Sequence, residues 1–183
     1  MMHEKRFNRE IERLRDPERL ARLEVRRVID LSMDNLDQLK TLVDIGTGSG
    51  VFAQAFAARG LDVSGVDVNP EMLTAAKSFV PLGSFKEGTA ENLPFQDHVF
   101  DLAFMGLLLH ETDDTLGALK EAFRVSKKRL AILEWPHAEQ PFGPPLEHRL
   151  KPDTISTLAL QAGFKAITTT RLQSLVLYRL EIG

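Results

Sequence analysis

From Thr41 onward, short apolar segments alternate with amphipathic ones, and that rhythm restricts the fold more than any other feature of the chain. Leu42-Val43-Asp44-Ile45 reads as a strand that stops at Gly46-Thr47-Gly48-Ser49-Gly50. The next segment carries Val51, Phe52, Ala55, Phe56 and Ala58 at helical spacing and ends at Gly60. Leu61 to Asp67 predicts a second strand, and Asn69-Pro70 opens a helix running to about Val80. Ser84 to Glu87 and Phe100 to Met105 predict the third and fourth strands. Thr112 or Asp113 then caps a helix with Leu116, Leu119, Ala122 and Phe123 on one face, and Arg129 to Glu134 is a fifth strand. Strands separated by helices pair in parallel through right-handed crossovers, which predicts an open doubly wound sheet.

The two flanks read differently. Residues 3–33 are charge-rich with a helical pattern; Asp16-Pro17 is an N-cap followed by proline in the first turn, and Ala21, Val25, Val28 and Ile29 form one apolar stripe. Residues 136–149 hold four prolines, Gly143, His137 and His148, a loop composition. Pro152 starts another helix that ends at Gly163. The last apolar segments, Ala166 to Thr170 and Ser174 to Tyr178, lie too close in sequence for a parallel crossover and predict an antiparallel hairpin. The expectation is a single α/β domain over residues 1–183. It has an N-terminal helical segment (1–35), a core (40–135), and a lid loop, helix and closing hairpin (136–183). Its seven-stranded sheet is mostly parallel, with helices on both faces.

Composition removes several function classes. Basic residues number 23 against 26 acidic ones, a net charge of −3, which argues against phosphate-backbone binding, so no nucleic-acid partner is expected. The absence of cysteine removes disulfides, thiolate metal sites and cysteine nucleophiles. No stretch approaches the roughly 20 apolar residues of a membrane span. No apolar run follows the charges of Met1 to Arg6, so neither a secretory signal nor a membrane partner is expected, and the expected location is cytoplasmic.

The glycine-rich turn lies at the carboxyl edge of the first strand, where open α/β sheets bind ligands. Seventeen residues after Gly50, Asp67 ends the second strand with a carboxylate suited to accept hydrogen bonds from both hydroxyls of a ribose. Together they point to a nucleoside-containing cofactor. The dinucleotide fingerprint fails from Gly46, because Val51 stands at its third glycine, but Gly48 to Ala53 fits its looser form, so the turn alone leaves a dinucleotide open. A phosphate-binding Walker loop is excluded, since no Gly-Lys-Ser/Thr follows.

At these residues the chain resembles the class I S-adenosylmethionine-dependent methyltransferases, in particular the small type-11 methyltransferase domain. Val43 to Gly50 is similar to that family's first motif, Gly65 to Leu73 to its second, and Glu87 to Phe95 to its third, followed by the Phe100-Asp101 strand. The resemblance implies a Rossmann-like fold whose last strand is reversed, and S-adenosylmethionine as cofactor, leaving as S-adenosylhomocysteine. It also implies roles. Gly46, Thr47 and Gly48 would let backbone meet the methionine end, with Asp44 favouring its ammonium. Asp67 would hold the ribose, Val68 and Met72 would flank the adenine, and Thr89, Ala90 and Glu91 would border its edge. Met105 and Gly106 would lie beneath the methionine part. Thr89 departs from the pattern, standing where the family often has aspartate.

Methyl transfer asks the protein to align the acceptor, exclude water and, for a hydroxyl acceptor, remove a proton. His110 is the candidate catalytic base, beside Glu111 after the fourth strand; His137, Glu147 and His148 are further candidates in the loop. No metal site is expected, because acidic residues near Asp113 and Asp114 are explained by helix capping. The expected activity is methyl transfer to a small-molecule acceptor, with a homodimer compatible with so compact a chain. A non-catalytic S-adenosylmethionine-binding subunit or sensor is the alternative, and a nicotinamide-dependent reductase is disfavoured by the closing hairpin and the later motifs.

Overall fold

The computed structural model describes residues 11–183, so the first part of the predicted N-terminal helical segment, residues 3–10, lies outside the described residues. The rest of it is helical in three pieces: α1 (Ile11–Leu14), α2 (Pro17–Leu23) and α3 (Val25–Met33). The Asp16 carboxylate accepts the N–H groups of Glu18 at 3.0 Å and Arg19 at 3.2 Å, the cap expected before Pro17. Glu24 turns left-handed (φ 46°) and separates α2 from α3.

Seven strands follow: β1 (Thr41–Ile45), β2 (Asp62–Asp67), β3 (Ser84–Glu87), β4 (Phe100–Gly106), β5 (Ser126–Glu134), β6 (Ala166–Arg171) and β7 (Val176–Glu181). They form one sheet in the order β3-β2-β1-β4-β5-β7-β6. The first five pair in parallel, and β7 runs antiparallel to both β5 and β6, as the short connection required. The helices are α4 (Val51–Ala57), α5 (Pro70–Phe79), α6 (Thr115–Val125) and α7 (Pro152–Ala162).

Both faces of the sheet are buried, and the period-two alternation of the strands divides the core accordingly. Val43, Ala103, Met105, Leu130 and Ile132 pack with Leu119 and Ala122 of α6 and Ile155 and Ala159 of α7. Their neighbours Leu42, Leu102, Phe104, Ala131 and Leu133 face the other way, onto Val28 and Ile29 of α3 and Phe52 and Phe56 of α4. Phe104 sits between the rings of Phe52 and Phe56, at 4.7 and 5.3 Å between centroids. Buried Arg129 of β5 ties the end of α3 to the sheet, donating to the carbonyls of Ser32 and Asp34 and to Glu181 of β7.

Three boundaries differ from expectation. Asp114, rather than Thr112 or Asp113, caps α6 by accepting the Gly117 N–H. Leu109–Glu111 forms a 3₁₀ turn, and Thr112 bonds back to the Leu109 carbonyl, so the helix starts later. The fifth strand begins at Ser126, three residues early, because Ser126 already pairs with Phe100. The last strand is displaced to Val176–Glu181, because the Leu172 N–H bonds to the Leu175 carbonyl and closes the hairpin turn there.

Gly50, left-handed at φ 76°, opens α4 where a Cβ would stand 2.9 Å from the Ala76 Cα of α5. A backbone atom cannot yield as a side-chain tip can. Gly50→Ala is therefore expected to destabilise the fold by about 1–3 kcal/mol or more, read as a lower denaturant midpoint at an unchanged slope.

Candidate functional site

An open cleft of about 1020 Å³ lies over the carboxyl ends of β1, β2 and β4, walled by α2 and the 136–149 loop. Its floor is the glycine-rich turn. The N–H groups of Gly46 and Thr47 both donate to the Val66 carbonyl, at 2.8 and 2.9 Å, which fastens the turn to β2. Gly48 then donates to Asp67 Oδ2 at 2.8 Å, and Asn69 donates to Oδ1 at 2.9 Å. Each carboxylate oxygen thus takes one backbone N–H and keeps acceptor capacity for a further donor. Burial pushes the Asp67 carboxyl above its ordinary range, against the backbone N–H groups of Asn69, Gly48 and Val68.

The glycines of the turn are bare for different reasons. A Cβ on Gly46 would overlap the Leu108 side chain at 2.7 Å, a packing requirement, whereas one on Gly48 would meet only Leu14 at 3.7 Å. Gly48, in a left-handed conformation, thus leaves room for a ligand to approach the backbone. Beneath it, Asp44 is 2% exposed and accepts the Thr47 hydroxyl at 2.8 Å and the Ala53 N–H at 3.1 Å. Burial pushes its carboxyl up to about 7, with nearby Asp67 adding to the rise.

The structure brings nearly all the predicted cofactor residues to this cleft: Asp44, Gly46, Thr47, Gly48, Asp67, Val68, Met72, Thr89, Ala90, Glu91 and Gly106 line it. Glu91 has a second task, since its Oε1 accepts the Asp113 N–H at 3.1 Å and pins the approach to α6. Met105 is placed differently. Its side chain is fully buried in the core between β4 and α6 and does not line the cleft, because alternation along β4 turns it to the opposite face from Phe104.

On the other side of the cleft, His110 is 9% exposed. Its Nδ1 lies 3.0 and 2.9 Å from the two carboxylate oxygens of Glu134, and its backbone N–H donates to Glu134 Oε1 at 3.1 Å. Glu134, at the end of β5, is 1% exposed. His148 also lines the cleft, whereas His137 and Glu147 do not. Among the described residues, His110, Glu111, Asp113 and Asp114 form no group able to hold a metal ion, and no helix is long and apolar enough to cross a membrane.

Sequence reasoning missed Glu134 and Arg149. Glu134 ends an apolar strand, and only its partner 24 residues away reveals its place. Arg149 is buried and donates to the carbonyls of Pro136, Ala138, Phe142 and Pro144 and to the Gln140 side chain, with its guanidinium 5.5 Å from the Trp135 ring. One side chain thus organises the proline-rich loop that walls the cleft.

Residues 43–132 match a methyltransferase domain family. A solved S-adenosylmethionine-dependent methyltransferase from Aquifex aeolicus superposes with a TM-score of 0.77 at 26% identity, over 94% of this chain and 97% of that one. Residues 43–132 thus form a methyltransferase domain, in a fold shared with S-adenosylmethionine-dependent methyltransferases. Among curated methyltransferases it is 37% identical over 87 residues to the demethylmenaquinone methyltransferase of Chlorobaculum parvum, covering 47% of this chain. It is 35% identical over 89 residues to the malonyl-[acyl-carrier protein] O-methyltransferase of Erwinia billingiae, covering 49% of this chain. These matches span 36% of the length of either relative. The seven-stranded order and the reversed last strand agree with the methyltransferase fold expected from sequence.

Two outcomes follow from this geometry. Asp44 holds its proton more tightly folded than unfolded, so its contribution to stability is complete in acid and is lost as pH rises from about 4 through about 7. Asp44→Asn is expected to remove that decline, worth a few kcal/mol, measured by urea unfolding at pH 5 and pH 8. Arg149→Met is expected to release the loop, read as faster proteolysis within residues 136–149 while cleavage of the sheet is unchanged.

Proposed function

We propose that the cleft binds S-adenosylmethionine and that the chain transfers its methyl group to a small-molecule acceptor. The observation that carries this reading is Asp67, whose two oxygens are each anchored by one backbone N–H at the crossing from β2 to α5 and retain acceptor capacity for a pair of hydroxyls. Gly48, the bare position of the turn, supports close approach of a ligand to the backbone beside that carboxylate. When bound, the cofactor supplies an electrophilic methyl group on a sulfonium.

The remaining roles belong to this chain's residues. Asp67 holds the ribose hydroxyls, and Val68 and Met72 offer apolar contact to the base, whose edge meets Thr89, Ala90 and Glu91. Asp44, with Gly46, Thr47 and Gly48, receives the amino-acid end, where a ligand ammonium favours the ionised form of a carboxyl that burial otherwise keeps near half-protonated at neutral pH. Gly106 approaches with its backbone, and Met105 supports that strand end from the core. His110 faces the acceptor side as the base.

The cleft volume of about 1020 Å³ sits at the top of the usual range of small-molecule sites, which supports a second ligand beside the cofactor. The named substrate of the C. parvum relative, demethylmenaquinone, and the net charge of −3 favour a small acceptor over nucleic acid.

S-adenosylhomocysteine is expected to raise the unfolding temperature, corresponding to about 2.7 kcal/mol at a hundredfold excess over Kd, and NAD is expected to leave it unchanged. Asp67→Ala, with circular dichroism confirming its fold, is expected to weaken binding by about a hundredfold or more, the loss of two charge-assisted hydrogen bonds. A stronger response to NAD overturns the cofactor assignment.

A further inference from the structure

Charged groups crowd one wall of the cleft with no part in holding a nucleoside. His110 and Glu134 are both almost fully buried, and Glu134 is held from the other side by the Trp135 N–H at 3.0 Å on Oε2. The imidazole is therefore oriented through Nδ1, and its other nitrogen, Nε2, lies on the side of Glu111, at 3.7 Å, beyond hydrogen-bonding distance. His110 and Glu111 both line the cleft. When the ring is neutral, the Glu134 carboxylate takes the Nδ1–H, so the lone pair resides on Nε2.

We propose that Glu134 is the positioning residue for His110, and that the pair removes the proton of a hydroxyl acceptor as it is methylated. This inference rests on the methyltransferase reading above. In the step, the oxygen's electron pair forms the new O–C bond, the S–C bond breaks with its pair left on sulfur, and the hydroxyl proton passes to Nε2 of His110 and later to water. A hydroxyl needs this help, because a neutral O–H is a weak nucleophile and its direct methylation leaves a strongly acidic oxonium. An amine does not, since it attacks through a free lone pair and sheds its proton to water afterwards. A buried, carboxylate-oriented imidazole therefore selects for O–H acceptors of the phenol or enol class.

The surrounding charges agree with that use. Burial favours the neutral ring, but Glu134 on β5 and Glu111 on the adjoining turn outweigh it, and Arg149 from the loop opposes them weakly. The balance lifts His110 above its ordinary range. The working base is thus stronger than a solvent-exposed imidazole, and the acid limb of activity belongs above the usual histidine range.

The test is nitrogen-detected NMR titration of the histidine imidazoles in the full chain, with and without S-adenosylhomocysteine, His110 being assigned by its loss in His110→Asn. The wild-type ring is expected to titrate above the other histidines and, when neutral, to carry its proton on Nδ1. Glu134→Gln, nearly isosteric, is expected to lower the His110 midpoint by about one pH unit or more. An unmoved midpoint, or a neutral ring protonated on Nε2, overturns the positioning role, and the tautomer is read in the wild type even where the variant does not fold. The acceptor class is read with methyl-labelled cofactor, a set of phenols and the matching anilines. Transfer to phenols that falls at least tenfold in His110→Asn supports it, and transfer confined to anilines, or to no phenol, overturns it. Failure to bind S-adenosylhomocysteine would overturn the cofactor reading and the methylation step with it, and is distinguished from failure of the positioning role, which the imidazole titration reads without any cofactor.

Discussion

The fastening of the glycine-rich turn to the tip of β2 is the constraint on which the cleft depends. Three successive N–H groups are committed there: Gly46 and Thr47 to the Val66 carbonyl, and Gly48 to the Asp67 carboxylate. These bonds fix the crossing from β1 to α4 at the height where β2 ends. They also orient Asp67, because a carboxylate held on both oxygens by backbone N–H groups cannot swing toward solvent. A binding residue oriented by the fold spares a ligand the entropy of ordering it.

Below that turn the protein sustains an unfavourable arrangement. Asp44 is sealed from water, and its neighbours Thr47 and Ala53 supply only neutral donors. Burying an ionisable carboxyl this way opposes folding once the pH is high enough to ionise it. Such a cost is expected at functional sites, and the ligand proposed for the cleft beside Asp44 would offset it.

Much of this was legible in the sequence because it is local. The β1 strand, the glycine turn and Asp67 fall within 27 residues, and short apolar runs followed by amphipathic helical segments marked the strands and helices from Thr41 to Glu134. The short connection before β7 was enough to reverse the last strand. The misplaced boundaries had two sources: the Thr112 hydroxyl bonds back to Leu109 instead of capping the helix ahead, which delays α6, and the long-range Ser126–Phe100 pairing lengthens β5. Met105 reads as a cleft residue by position, but its side chain belongs to the core, since one residue along a strand reverses the face.

The proposed acceptor side was legible only at His110, and Glu134 and Arg149 escaped for a related reason. Its defining groups come from separate parts of the chain: His110 from the turn after β4, Glu134 from the end of β5, and Arg149 from the end of the proline-rich loop. Only the adjacency of β4 and β5 in the sheet brings the first two together, and that adjacency is a property of topology. A Rossmann-like sheet thus divides its two tasks between its strand ends. On the proposed reading, the β1 and β2 tips carry consecutive, sequence-readable motifs for the cofactor. The β4 and β5 tips carry isolated charged residues whose meaning arises only when the strands lie side by side, so acceptor chemistry can diverge there while the cofactor half keeps its form.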